Sequence, residues 1–144
     1  MIDRAQGYRG YIGSRPYTSG DYPQNVQNLI IRTFCQKNKF TYLLSATEYI
    51  MPNCYMILEE VIQSIESLEG IVLFSIFMLP DSAEKRKRIY DKILSANRTL
   101  HAALEDLSIR NKADIQAVED VLTLNKITLT ERHLPELHGF LTAQ

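Results

Sequence analysis

Residues 71–77 read Ile-Val-Leu-Phe-Ser-Ile-Phe, apolar at nearly every position and entered through Gly70. A strand with one wet face would alternate apolar and polar residues. A run this continuous needs both faces covered, which is the condition of a central strand in a parallel sheet. Around it the chain alternates short apolar runs with helical stripes. Residues 8–13, 39–45 and 99–105 supply three more strand-like runs. Between them, residues 23–38 place Val26, Leu29, Ile30 and Phe34 on one helical face, with Pro23 suited to a first helical turn. Asn53 can cap a helix whose stripe is Ile57, Leu58, Val61, Ile62 and Ile65. Asp81 with Glu84, and Asn111 with Asp114, repeat a cap-and-acid spacing before two further helices, the second carrying Ile115, Val118 and Leu122. Strand–helix pairs in alternation imply right-handed βαβ crossovers, and so an α/β sandwich of three layers on a mainly parallel sheet of four to five strands.

The 144 residues suffice for one core, expected over residues 1–124. Residues 125–144 fit the alternation less well. They read as a short strand-like stretch and a helix around Pro135, carrying Leu134, Leu137, Phe140 and Leu141. This extension is expected to pack on the domain or on a partner subunit. No apolar run reaches the ~20 residues that cross a bilayer, and the first ten residues lack a signal-type apolar segment. A cytoplasmic protein without a membrane partner is expected, with Cys35 and Cys54 as buried thiols. Sixteen Lys and Arg stand against 17 Asp and Glu, a balance that does not favour nucleic acid as a partner.

In open parallel sheets ligands bind beyond the carboxyl ends of the strands, where strand order reverses. The residues expected there are Ser14 and Arg15 after the first strand, Ser45, Thr47, Glu48 and Tyr49 after the second, and Ser75 in the third. Each has a plain alternative. Ser14 and Arg15 could close a turn before Pro16, and Ser45, Thr47 and Glu48 could serve turns and caps. As a site, Arg15 would hold an anion, with Ser45, Thr47, Tyr49 and Ser75 as further ligand contacts. Glu48 and Ser14 would address hydroxyls or transfer a proton as the catalytic pair. Tyr11, Tyr17, Tyr22, Tyr49 and Tyr55 could wall a ring-shaped ligand or pack half-buried.

The basic run Lys85–Arg88 reads as a solvated face or, set against the dipole of its own helix, as a phosphate or acidic-partner contact. No metal site is expected: His133 and His138 lie about 140° apart around a helix, and His101 reads as packed within a strand. Walker loop, dinucleotide fingerprint and nucleophile elbow are all absent, so no cofactor is named.

Two resemblances add to this reading. Over roughly residues 8–109, "RGYIGSRP", "QNVQNLIIRTFCQKN" and "EGIVLFSIFMLP" followed by a charged helix resemble the catalytic domain of serine recombinases. That resemblance implies a resolvase-like or flavodoxin-like fold and the strand order. Its chemistry is not expected to carry over. Gly13 stands where those strands supply arginine, Ser14 is displaced by one from the nucleophile's place, and Phe77, Met78 and Pro80 replace an activating charged run. Over about residues 8–122, "YRGYIGSRP", "TYLLSATEYIMP" and "SIFMLP" resemble the sporadic carbohydrate cluster proteins, small bacterial proteins encoded among surface-polysaccharide genes. This implies a participant in unusual-sugar biosynthesis that binds or modifies a small anionic sugar ligand at the strand rim. A homo-oligomer is expected, and a non-catalytic homo-oligomeric interaction module is the alternative. A degenerate DNA-binding resolvase relative is a third reading, disfavoured by charge and lost catalytic residues.

Overall fold

The computed structural model describes residues 5–13, 22–51 and 53–142, the last fourteen of these by backbone alone. The strands are β1 (Tyr8–Gly13), β2 (Tyr42–Glu48), β3 (Gly70–Leu73), β4 (Thr99–Ala102) and β5 (Leu107–Ile109). The α-helices are α1 (Gln24–Lys37), α2 (Met56–Gln63), α3 (Ala83–Ser95) and α4 (Lys112–Thr142). The sheet runs β2-β1-β3-β4-β5, parallel except for β5. From β1 the chain steps outward to β2, then returns past β1 to β3 and β4. With right-handed crossovers this puts α1 on one face and α2 and α3 on the other. The reversal falls at β1, so the crevice beyond β1 and β3 is the switch point.

All four residues of β3 are buried, as its apolar run requires. The strand is shorter than the run, however. After Phe74 the chain enters a 3-10 turn over Ile76–Met78, whose Ile76 and Met78 fill the core from a turn instead of a sheet position. β2 departs the other way. Asn38 closes α1, Lys39 takes a left-handed φ of 58°, and the strand begins at Tyr42 and runs to Glu48. Ser45, Thr47 and Glu48 therefore lie inside a strand, because Ala46, Thr47 and Glu48 pair with Tyr11, Ile12 and Gly13.

The fourth strand also stops early. Residues 103–106 turn, with Asp106 at φ 56°, and β5 returns antiparallel, setting Ile109 opposite Leu100. The buried face of α1 is Gln27, Ile31, Phe34 and Cys35, about one position round from the expected stripe, and Leu29 is 59% exposed. Ser82, not Asp81, caps α3, accepting from the Lys85 N–H. Asn53 takes a φ of 56° and does not cap α2.

Residues 125–142 continue α4 without the expected strand-like stretch. The β-branched Ile127, Thr128 and Thr130 favour a strand only locally. A helix already formed over the preceding turns extends by one hydrogen bond per residue, and that gain prevails. Among the described residues no helix is long and apolar enough to cross a membrane.

Candidate functional site

The switch point is built from the end of β1. Gln27, buried on α1, donates from Nε2 to the Gly13 carbonyl at 2.6 Å and to the Tyr22 carbonyl at 2.7 Å. Its Oε1 accepts the Gly13 N–H at 3.1 Å. One side-chain amide thus binds both backbone groups of the last β1 residue, fixing where the chain leaves the sheet. Sequence reading missed Gln27; the available signal was a polar residue within the apolar stripe. Ser14, Arg15 and Tyr17 lie outside the described residues. The helix that follows has Pro23 at its N-cap, no side-chain cap bond and no acidic residue in its first turn.

Glu48, expected as an acid–base group, is 3% exposed and fully engaged. Oε1 accepts from Tyr11 Oη at 2.7 Å and the Leu58 N–H at 3.1 Å. Oε2 accepts from the N–H groups of Tyr49 at 3.2 Å and Ile57 at 3.1 Å, and from Cys54 Sγ at 3.7 Å. Five donors meet the roughly four lone-pair sites of a carboxylate. Glu48 is therefore the cap of α2, supplied from the neighbouring strand. Burial raises its pKa, but the bonds from Tyr11 and from the Ile57, Leu58 and Tyr49 N–H groups outweigh it and hold the carboxyl below its ordinary value. In this arrangement it has no lone pair left to take a proton from a ligand.

Ser75 is likewise committed. Its Oγ donates to Glu105 Oε2 at 2.6 Å and accepts the Phe77 N–H, while Glu105 Oε1 accepts the Ile76 N–H at 2.7 Å. Glu105 ties the β3 rim to the turn after β4. Ser45 Oγ shares a 2.8 Å bond with Tyr42 Oη. Thr47 is exposed, and Tyr49 is 51% exposed. Of the tyrosines, Tyr11 is consumed by Glu48 and Tyr22 packs edge-on against Phe74 with centroids 5.0 Å apart. Among the described residues, the expected side chains are committed to separate contacts: Glu48 to the start of α2, Ser75 to Glu105 and Ser45 to Tyr42. Thr47 and Ser45 also line a groove of about 580 Å³ between the β1–β2 edge and α2, alongside Arg9.

The basic run divides. Arg86 grips Glu119 of α4 through Nε at 2.9 Å and Nη2 at 2.8 Å, and Nη1 donates to the Pro80 and Asp81 carbonyls. Tyr90 Oη adds a 2.6 Å bond to Glu119. The Arg86 bonds, ahead of burial, keep Glu119 below its ordinary pKa. Arg86 is thus a bolt between α3 and α4, whereas Lys85, Lys87 and Arg88 are exposed.

Two solved structures share this architecture. A resolvase family site-specific recombinase from Streptococcus pneumoniae aligns with a TM-score of 0.58 at 10% identity, covering 94% of this chain and 99% of that one. The N-terminal catalytic domain of TP901-1 integrase aligns with a TM-score of 0.56 at 11% identity, covering 88% and 98%. The fold is resolvase-like. At these identities the likeness is one of fold alone. No family model and no curated protein matches the chain, and nothing in these comparisons supports the resemblance to sporadic carbohydrate cluster proteins.

Proposed function

We propose that this resolvase-like domain binds a small phosphate-bearing sugar, a sugar phosphate or nucleotide sugar, in the crevice beyond β1 and β3, as a participant in surface-polysaccharide biosynthesis. The observation that carries this reading is the start of α1. Among the described α-helices, α2 is capped by the Glu48 carboxylate, α3 has Ser82 and Glu84, and α4 has Asn111 and Asp114. Among the described residues, α1 alone has neither an acid in its first turn nor a cap bond from its N-cap side chain, and it opens at the switch point. The partial positive charge of this helix start suits an anion there. Arg15, two residues past the pinned Gly13, would supply the fixed charge. With Glu48 saturated, the reading is of binding first, any turnover resting on other groups.

The test is a thermal-shift titration with glucose 1-phosphate and UDP-glucose, repeated on Arg15→Ala. At 100 times Kd a ligand adds about 2.7 kcal/mol to the folded state, so the wild-type Tm should climb with concentration. Arg15→Ala should keep the unliganded Tm and lose the climb. A climb that survives the substitution would contradict this placement.

The interaction-module reading is favoured by one observation: Leu124 and Ile127 on α4 are 62% and 48% exposed. It expects the mass in solution to drop when residues 125–144 are removed, with Arg15→Ala silent.

A further inference from the structure

The groove between the β1–β2 edge and α2 is lined by Arg9, a half-buried residue whose guanidinium forms no hydrogen bond or ion pair with any described residue. Ser45, Thr47, Ser64, Ser67 and Glu60 line the same groove, the Ser45 hydroxyl itself being turned away to Tyr42. The other long cations at domain contacts are placed differently: Arg86 is locked on Glu119, and Arg98 donates to the Ile65 and Glu66 carbonyls. The planar fork of a guanidinium matches an oxyanion, and that of Arg9 has no described partner to satisfy it.

We infer that this groove is a second ligand site, separate from the crevice at the switch point, and that it takes a singly charged polyhydroxylated acid such as a uronate. Arg9 holds the carboxylate through paired N–H bonds. Among the described lining residues Glu60 is the one acid and Arg9 the one cation, with no ion pair between them. That balance suits a ligand with one negative charge and several hydroxyl donors better than a dianionic phosphate. Ser64 and Ser67 already direct their hydroxyl protons to the Glu60 and Ser64 carbonyls, which leaves their oxygens as acceptors for ligand hydroxyls. Ile57, Val61 and Leu68 give the groove an apolar floor for the carbon face of a sugar ring. The volume of about 580 Å³ lies within the usual range for small-molecule sites. This site does not depend on the phosphate-binding reading, since Arg9 and the start of α1 share no residue.

The test is calorimetric titration of the full chain with glucuronate, glucose and glucose 6-phosphate, together with amide chemical-shift mapping of the wild-type protein. Glucuronate should bind saturably, glucose should not, and glucose 6-phosphate should not displace it. Amides of Thr47, Glu60, Ser64 and Ser67 should move, with those of Gly13 and the first turn of α1 unmoved. Arg9→Gln should weaken glucuronate by about tenfold to a hundredfold, the worth of one charge-assisted contact, and Arg15→Ala should leave it unchanged. Shifts confined to the α1 end, glucose 6-phosphate binding in the groove ahead of glucuronate, or no saturable glucuronate binding would each overturn the assignment. The shift map keeps the test decisive if Arg9→Gln folds poorly.

Discussion

The imidazole of His101 sits among aromatic rings, with centroids 5.7 Å from Tyr8, 5.7 Å from Phe34 and 4.9 Å from Phe40. Its nitrogens meet Thr99 Oγ1 at 2.9 Å and Ser108 Oγ at 2.7 Å, two hydroxyls that can each turn to suit a neutral ring. Among the described residues no carboxylate is seen to compensate a charge there. Burial, with Arg110 adding, lowers its pKa to about 4. The unfolded chain therefore binds this proton from near pH 6.5 downward, while the folded chain refuses it until about pH 4. Stability from this group is complete above pH 6.5 and falls as the pH drops through that window, by about 3 kcal/mol in all. Glu48 and Glu119, both held below their ordinary values, extend the loss below about pH 4.5. Denaturant melts at pH 7.5, 5.5 and 4.5, with NMR titration of the His101 ring, check this. A ring that titrates near 6.5 with flat stability would contradict it.

Among the elements, β2 shows what a pattern of apolar residues can and cannot convey. Residues 39–45 read as a strand because they carry Phe40, Tyr42, Leu43 and Leu44, but Ala46 to Glu48 are small and polar and read as a loop. Pairing to β1 settles the matter, and pairing is a non-local fact. The same strand carries a bulge: Arg9 faces Leu43 and Tyr11 faces Ala46, so Leu44 and Ser45 together oppose Gly10. A Cβ on Gly10 would collide with Ser45 Oγ. Gly10→Ala should accordingly cost about 1–3 kcal/mol by overpacking and disturb the Ser45–Tyr42 bond. A melting curve that matches wild type would contradict the bulge geometry. Elsewhere legibility followed apolar density. The buried run of β3 was plain, yet its end was overshot because Ile76 and Met78 fill the core from a 3-10 turn. The hairpin to β5 was invisible because Leu107–Ile109 is three residues long. At the candidate site the end of β1 is legible in the sequence, whereas Ser45, Thr47 and Glu48, read as lying at or beyond the end of β2, are inside it. The bonding that commits Glu48, Ser75 and Gln27 depends on contacts between residues distant in sequence, which no spacing rule supplies.

For the whole molecule, the resolvase-like fold and a near-neutral charge pull towards different partners. Sixteen basic residues are offset by 17 acidic ones, and within the basic run Arg86 is spent on Glu119. Binding of duplex DNA by phosphate neutralisation would need several free cations on one face, and would weaken steeply with salt. The proposed function asks only for one anion at the start of α1. Its most direct test is a calorimetric comparison on a single preparation: glucose 1-phosphate against a random-sequence DNA duplex, each at 50 and 200 mM salt. The account predicts saturable binding of the sugar phosphate at one site per chain and no measurable heat from DNA. Duplex binding that falls about a thousandfold or more between the two salts, with no heat from the sugar phosphate, would contradict it.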